Sequence, residues 1–164
     1  MKKFFAILLA VVFAMAVLTG CGGSASSAPA KDYNINDVKT AIEGANAIAN
    51  PLEMDEFTLE FDLGLTMENV AEYVGVKSND QGNSGTILVI KAAEGKAADV
   101  AAQLETYKQN QVAFFANYAE FAAGQAQIED GRVVTNGDYV VLVFANTEGA
   151  SYDEIDKAVD GAFN

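Results

Sequence analysis

Residues 133–144 read VVTNGDYVVLVF and carry the clearest local signal of the fold. Two runs rich in β-branched and aromatic residues, 133–135 and 138–144, flank the dipeptide Asn136-Gly137. Asn-Gly is the preferred centre of a type I′ hairpin turn, because both residues tolerate a positive φ. The sequence therefore predicts an antiparallel hairpin in the C-terminal half of the chain, closed by a type I′ turn.

A further strand is predicted upstream of the hairpin, at residues 86–90, which read TILVI. This run is too apolar for a solvent-facing edge and too short for a helix, so we expect a central strand with both faces covered. Residues 77–85 (KSNDQGNSG) consist of turn-forming residues and predict the loop that precedes it. The oxygen donors of this loop lack the spacing of an EF-hand, so no calcium site is predicted.

Helical periodicity predicts the elements that cover the sheet. The longest helical pattern spans residues 96–118. Its predicted inward side comprises Val100, Leu104, Tyr107, Gln111, Phe114, Phe115 and Tyr118. A first helix is expected to begin at an Asn36 N-cap and to end before Pro51, and a last helix to open with a capping box of Ser151 and Glu154.

The segment between the first helix and the central strand predicts two small elements. Phe57, Leu59 and Phe61 alternate with polar residues, which predicts a half-buried strand or extended segment. Thr66 is positioned to cap a short helix after it. The whole pattern predicts an α+β fold: a small, largely antiparallel sheet with a hairpin in the C-terminal half, covered by a long helix and shorter helices.

The amino terminus has the pattern of an export signal. Lys2 and Lys3 precede a run of fifteen apolar residues, 4–18. That run suits the apolar region of a signal peptide and is shorter than the roughly 20 residues of a transmembrane helix. We therefore expect secretion rather than a permanent transmembrane span.

The residues Leu18, Thr19, Gly20 and Cys21 follow this run and resemble the bacterial lipobox. The resemblance implies cleavage after Gly20 and attachment of a diacylglyceryl group to the Cys21 thiol. A second acyl chain such as palmitate would make the membrane attachment stable, because one chain holds a protein only marginally. The alternative is an ordinary secretory signal followed by an unmodified cysteine.

The predicted organisation has three parts. Residues 1–20 form the lipoprotein signal peptide, 21–31 a lipid-anchored flexible tether, and 32–164 a single α+β domain. The segment after Cys21 consists of small, uncharged residues, as in a flexible linker. About ten such residues have a root-mean-square reach of roughly 17 to 19 Å. We expect an extracytoplasmic domain that is anchored by lipid to the outer face of the cytoplasmic membrane.

Composition excludes several classes of function. The chain of 164 residues contains no histidine and one cysteine, which excludes His-dependent triads, internal disulfides and cysteine-rich metal sites. No motif for a cofactor or a metal ion is present, so none is predicted. The net charge is −13, and removal of residues 1–20 leaves 8 basic and 23 acidic side chains, a net charge of −15. Such a surface disfavours nucleic acid as a partner.

Two sets of residues are candidate sites. Phe114, Phe115, Tyr118 and Phe121 form an aromatic cluster that is either a binding patch for a sugar, a peptide or a protein, or core packing beneath the sheet. Neighbouring acids, Asp55 with Glu56 and Asp153 with Glu154, are the residue types of a glycosidase, but closeness in sequence does not supply the required separation of the two carboxylates.

Four features together resemble the bacterial lipoproteins of the domain of unknown function 4358 family. They are the lipobox, the strand with its following lysine (residues 86–91), the end of the long helix (114–118) and the hairpin (136–143). The resemblance covers residues 35–160 and implies a location on the outer face of the cytoplasmic membrane, since such proteins are typical of Gram-positive anaerobes. Members often carry a glutamate before the central strand and an arginine in the long helix, where this chain has Gly85-Thr86 and Tyr107.

The sequence favours a lipid-anchored cell-envelope protein without enzymatic activity, which binds an envelope protein, a peptide or a cell-wall component. One alternative is a carboxylate-based hydrolase of cell-wall glycans. Another is a small-solute-binding lipoprotein, although the domain is small for a two-lobed receptor.

Overall fold

The computed structural model of the chain describes residues 31–164. The predicted signal peptide, the lipobox and Cys21 lie outside the described residues. The strands are β1 (Pro51–Glu53), β2 (Val70–Ser78), β3 (Thr86–Ala92), β4 (Arg132–Asn136) and β5 (Tyr139–Phe144). The helices are α1 (Ile35–Ala45), α2 (Ala97–Phe115), α3 (Ala122–Glu129) and α4 (Tyr152–Ala162). Within residues 31–164 no helix has both the length and the apolar character needed to cross a membrane.

The five strands form one sheet in the order β1-β2-β3-β5-β4, and each neighbouring pair is antiparallel. The predicted α+β fold with an antiparallel sheet is confirmed. The strand at residues 86–90 is central, as predicted, and extends to Ala92. It lies between β2 and β5 and is buried because helices cover both faces of the sheet.

The two faces of the sheet support two separate cores. Ile87 and Val89 of β3 point to the face that α1 and α4 cover. Leu88 and Ile90 point to the opposite face, covered by α2, α3 and the segment that precedes β2. Because successive side chains alternate across a strand, one apolar run fills both cores. We call the two sides the α1/α4 face and the α2/α3 face.

The predicted hairpin is confirmed as the pair β4 and β5, but its turn differs from the prediction. Asn136 pairs with Tyr139, so the two turn residues are Gly137 and Asp138. Gly137 has a φ of 57°, whereas Asp138 has no positive φ. A glycine at the first turn position is the arrangement of a type II′ turn. The predicted type I′ turn centred on Asn136-Gly137 is therefore wrong.

The predicted strand at Phe57, Leu59 and Phe61 is also wrong, because this segment is helical. The Asp55 carboxylate accepts hydrogen bonds from the Thr58 N–H (2.8 Å) and hydroxyl (2.7 Å). A π-helical turn follows over Thr58–Asp62. Leu59 is buried, while Phe57 and Phe61 point outward with ring centroids 4.7 Å apart.

Several element ends differ from the predictions. The short helix expected after Thr66 is a single 3₁₀ turn, and β2 begins directly after it at Val70. The N-cap of α1 is Asn34 rather than Asn36. At the start of α4, the Ser151 hydroxyl donates to the Glu154 carboxylate (3.2 Å) instead of bonding the backbone, so no capping box forms.

The two ends of the described chain meet at one end of the sheet. The Tyr33 N–H donates to the Tyr139 hydroxyl (2.9 Å), and the Tyr33 hydroxyl donates to the Phe163 carbonyl (2.6 Å). The Tyr33 ring packs edge-on against the rings of Tyr139 and Phe163. The Lys31 ammonium donates to the Asn164 carbonyl (2.7 Å). We call this the Tyr33 end of the sheet.

Candidate binding groove

A groove of about 610 Å³ opens at the opposite end of the sheet, where β3 begins and β5 ends. Its walls are the end of α1, the loop between β2 and β3, a 3₁₀ turn before α3 and the segment after β5. The lining residues are Ala45, Asn46, Ala47, Ala49, Gln81, Gly82, Asn83, Glu120, Phe121, Asn146, Thr147, Glu148, Gly149 and Ala150. We call this the Asn146 end of the sheet.

Asn46 and Asn146 join the end of α1 to the segment after β5. The Asn46 side-chain amide donates to the Phe144 carbonyl (3.0 Å). The Asn146 side-chain amide donates to the Ala47 carbonyl (2.7 Å), and its oxygen accepts from the Ala49 N–H (3.3 Å). Both asparagines are buried, so each hydrogen bond also satisfies a polar group that water does not reach.

Asn83 holds the groove wall that the loop between β2 and β3 forms. Its side-chain oxygen accepts hydrogen bonds from the Gly85 N–H (2.9 Å) and the Thr147 N–H (3.3 Å). The Thr147 hydroxyl donates to the Gly82 carbonyl (3.1 Å). The predicted loop before the central strand is therefore held against the segment after β5.

The aromatic residues that the sequence singled out lie beside this groove. Phe115 is buried and Phe121 is half-buried, whereas Phe114 and Tyr118 are 51% and 42% exposed. The Tyr118 ring lies 5.2 Å from the Phe121 ring and 5.4 Å from the Phe114 ring. The prediction that Phe114 and Tyr118 face inward is wrong: in the last turn of α2 the buried residue is Phe115, and Tyr118 lies beyond the end of the helix.

Gly82 is required for the contact between the loop and Phe121. Its φ of 77° lies in the left-handed region that favours glycine. A Cβ at this position would lie 2.7 Å from Cδ1 of Phe121, which is too close for two non-bonded carbon atoms. The groove wall and the aromatic cluster thus depend on one another at this residue.

A protein-family model described as a domain of unknown function (DUF4358) matches residues 45–145. The chain belongs to the DUF4358 family. The match begins at the end of α1 and ends after β5, so it includes Asn46, Asn83 and the aromatic cluster of the groove. The comparison with curated proteins and the comparison with solved structures give no match.

The groove of this DUF4358 domain is acidic. Glu120 and Glu148 line it and are exposed, and within residues 31–164 no lysine or arginine lines it. Five of the eight basic side chains in residues 31–164 pair with acids outside the groove. Five ion pairs form, namely Lys39–Glu43, Lys77–Asp62, Lys91–Asp32, Lys96–Asp99 and Arg132–Asp156. The two carboxylates of the groove therefore have no neighbouring cation in the described groove wall.

A second cavity of about 390 Å³ adjoins the groove and shares Gly82 and Asn83 with it. Tyr107 lines this cavity, and burial raises the pKa of its hydroxyl to about 12. Gly85 and Thr86 line the same cavity. The positions at which the sequence departs from the resemblance to the DUF4358 family, Gly85-Thr86 and Tyr107, are therefore neighbours in space.

The acid pairs considered as a hydrolase site do not line the groove. Two hydrogen bonds from Thr58 hold the pKa of the Asp55 carboxyl below its usual value, whereas a general acid needs a raised pKa. Asp153 lines a different cavity, at the start of α4. Residues 31–164 contain no group of three acidic, histidine or cysteine side chains placed to hold a metal ion.

Proposed function

We propose that this DUF4358 protein is a lipid-anchored binding module of the cell envelope, without enzymatic activity, whose ligand occupies the groove at the Asn146 end. The observation that carries the proposal is the continuity between the groove and the exposed aromatic rings. Phe121 lines the groove and contacts Tyr118, which is exposed together with Phe114. Exposed aromatic rings beside a concave polar surface are characteristic of binding sites.

The proposed anchor is the lipidated Cys21, and the proposed location is the outer face of the cytoplasmic membrane. The support is the sequence of the first 21 residues: two lysines, a short apolar run and the lipobox Leu18-Thr19-Gly20-Cys21. Two acyl chains would hold the protein at the bilayer without a transmembrane helix. Because the domain is acidic, anionic headgroups would repel rather than attract it.

The positions of the anchor and the groove suit this function. The described chain begins at Lys31, at the Tyr33 end of the sheet. Helix α1 runs from that end to the groove and has eleven residues, a length of about 16 Å. A tether that joins the domain at Lys31 would therefore present the groove away from the bilayer, toward the rest of the envelope.

Substitution of Cys21 tests the anchor. Cys21→Ala should abolish incorporation of a labelled fatty acid and release the protein from the membrane fraction, because the thiol is the site of acylation. Ser26→Ala, in the same segment, is the matched control, and this variant should still incorporate the fatty acid and stay in the membrane fraction. Continued labelling of Cys21→Ala would contradict lipidation, and release of an unlabelled wild-type protein would establish the ordinary secretory signal instead.

Site-specific photo-cross-linking on intact cells tests the groove. A photoreactive side chain at position 118 should yield a discrete adduct, because this position adjoins the groove. The same group at position 57 is the control, since Phe57 is also exposed but lies outside the groove, directly before the π-helical turn. Equal adducts at both positions, or none at either, would contradict a ligand in the groove.

The hydrolase alternative predicts a different result. Glu120 and Glu148 both line the groove, so a carboxylate enzyme at this site would depend on one of them. Turnover of purified cell-wall glycan that is abolished by Glu120→Gln or Glu148→Gln would replace the binding function with hydrolysis. We expect no turnover by the wild-type protein.

A further inference from the structure

We infer that the ligand of the groove is a basic polypeptide segment that presents lysine or arginine side chains. This inference rests on the proposed binding function and adds the chemical class of the ligand. Its three grounds are the charge of the groove, the exposed aromatic rings beside it and the length of the path that the rings form.

The charge of the groove selects a cation. Glu120 and Glu148 line it, and its described walls contain no basic side chain to offset them. The chain beyond residue 20 has 8 basic and 23 acidic side chains, so the field of the whole domain has the same sign as the groove. A surface of one sign raises the local concentration of ligands of the opposite sign and repels acidic peptides and phosphate-bearing polymers.

The aromatic cluster offers a second means of binding a cation. Lysine and arginine side chains bind over aromatic rings, and the domain does this internally, with the Arg132 guanidinium 4.5 Å from the Tyr152 ring centre. Within the described part of the chain, no lysine or arginine lies over the rings of Phe114, Tyr118 or Phe121. The exposed rings of Phe114 and Tyr118 are therefore available to a basic side chain of a partner.

The length of the ring path matches a short extended segment. The ring centres of Phe121 and Tyr118 are 5.2 Å apart, and those of Tyr118 and Phe114 are 5.4 Å apart. An extended peptide advances about 3.3 Å per residue, so three or four residues cover this path. A basic residue at one end of such a segment would reach the groove carboxylates while its neighbours contact the rings.

Peptide binding to the mature protein in neutral detergent micelles tests the inference. The probes are three labelled ligands: a decapeptide of alternating lysine and serine, its glutamate-serine counterpart, and a neutral N-acetylglucosamine oligomer. We expect fluorescence anisotropy to show binding of the lysine peptide alone. The affinity should fall about tenfold or more between 50 and 500 mM NaCl, because salt screens charge pairs at an exposed surface.

Paired variants separate a specific site from general attraction. Glu120→Gln/Glu148→Gln should weaken binding of the lysine peptide about tenfold, and Tyr118→Ala should weaken it severalfold. The control Glu56→Gln/Glu60→Gln removes the same number of charges from exposed positions outside the groove and should leave the affinity unchanged. Equal losses in the two double variants would overturn the inference, because the attraction would then be unspecific.

The outcomes also distinguish this inference from the binding function beneath it. Binding of the glycan oligomer without binding of the lysine peptide would overturn the basic ligand, while an adduct at position 118 would still support a ligand in the groove. Absence of an adduct at position 118 would overturn both.

Discussion

The α1/α4 face and the α2/α3 face of the sheet are both buried, yet their outer surfaces differ. On the α1/α4 face, Ile35, Val38 and Ile42 of α1 pack with Ile155 and Val159 of α4. The exposed large apolar side chains of the described chain are Leu52, Phe57, Phe61, Phe114 and Tyr118. None of them belongs to α1 or α4, and the four aromatic ones lie on segments of the α2/α3 face. One face therefore stabilises the domain, and the other both stabilises it and presents surface for contact.

The largest expected effect tests whether both faces stabilise the fold. Ile87 and Ile90 are fully buried residues of β3 that point to opposite faces. Replacing either by alanine removes the same atoms, so each variant should lose about 2 to 5 kcal/mol of unfolding free energy. Urea denaturation measures this loss.

Leu52→Ala is the control for these substitutions, because Leu52 is 46% exposed and should change stability by less than about 0.5 kcal/mol. A loss of under 1 kcal/mol for Ile90→Ala, together with a large loss for Ile87→Ala, would show that only the α1/α4 face stabilises the fold. The helices of the α2/α3 face would then cover the sheet without contributing much to the unfolding free energy.

A smaller effect is expected at two glycines with a positive φ. Gly137 has open space around it, so Gly137→Ala should cost about 1 to 2 kcal/mol from backbone strain alone. Gly82→Ala adds a clash with Phe121 and should cost more. It should also displace the groove wall, whereas Gly137→Ala should not. Equal costs in urea denaturation would show that the loop moves freely away from Phe121.

The smallest effect is a decrease of the unfolding free energy at alkaline pH, which we expect from Tyr107 on the α2/α3 face. Its folded pKa of about 12 lies above the value of 10.0 for an unburied tyrosine, so the fold favours the neutral hydroxyl. The associated stability is complete below pH 10 and is lost as the pH rises toward 12. At pH 11 we expect a loss of about 1.4 kcal/mol relative to pH 8.

Tyr107→Phe should remove this component of the pH dependence, because phenylalanine has no hydroxyl to ionise. Urea denaturation of both proteins at pH 8 and pH 11 makes the comparison. The same loss in Tyr107→Phe and in the wild type would show that another group of the protein ionises in this range.

Elements with a strong local pattern were predictable from the sequence. The apolar runs of β3 and β5 can only be buried strands, and the two runs around Asn136-Gly137 require a hairpin. The turn type was not predictable, because the pairing of Asn136 with Tyr139 sets it. At Phe57, Leu59 and Phe61 the alternation indicated a strand, but the Asp55 cap favours a helical turn that buries only Leu59. Strand β2 was missed because its apolar residues are interrupted by glycine, glutamate and lysine.

The groove could be predicted only in part. The aromatic cluster was visible because its four residues lie within eight positions of one another. Asn46 and Asn146 gave no signal, because their partnership joins positions 100 residues apart and each is an ordinary loop residue in isolation. Asn83 was assigned to a turn, which is correct but does not reveal its hydrogen bond to Thr147.

The contact between Lys31 and Asn164 places the two ends of the described chain side by side. Because both ends of the described chain lie beside Tyr33 and Phe163, a polypeptide joined to Asn164 would leave the domain next to the segment that enters at Lys31. A lipid anchor attached after Asn164 instead of before Lys31 would therefore hold the domain in the same orientation. A circular permutant that joins Asn164 to Lys31 and has its new ends in another loop would keep the same hydrophobic core.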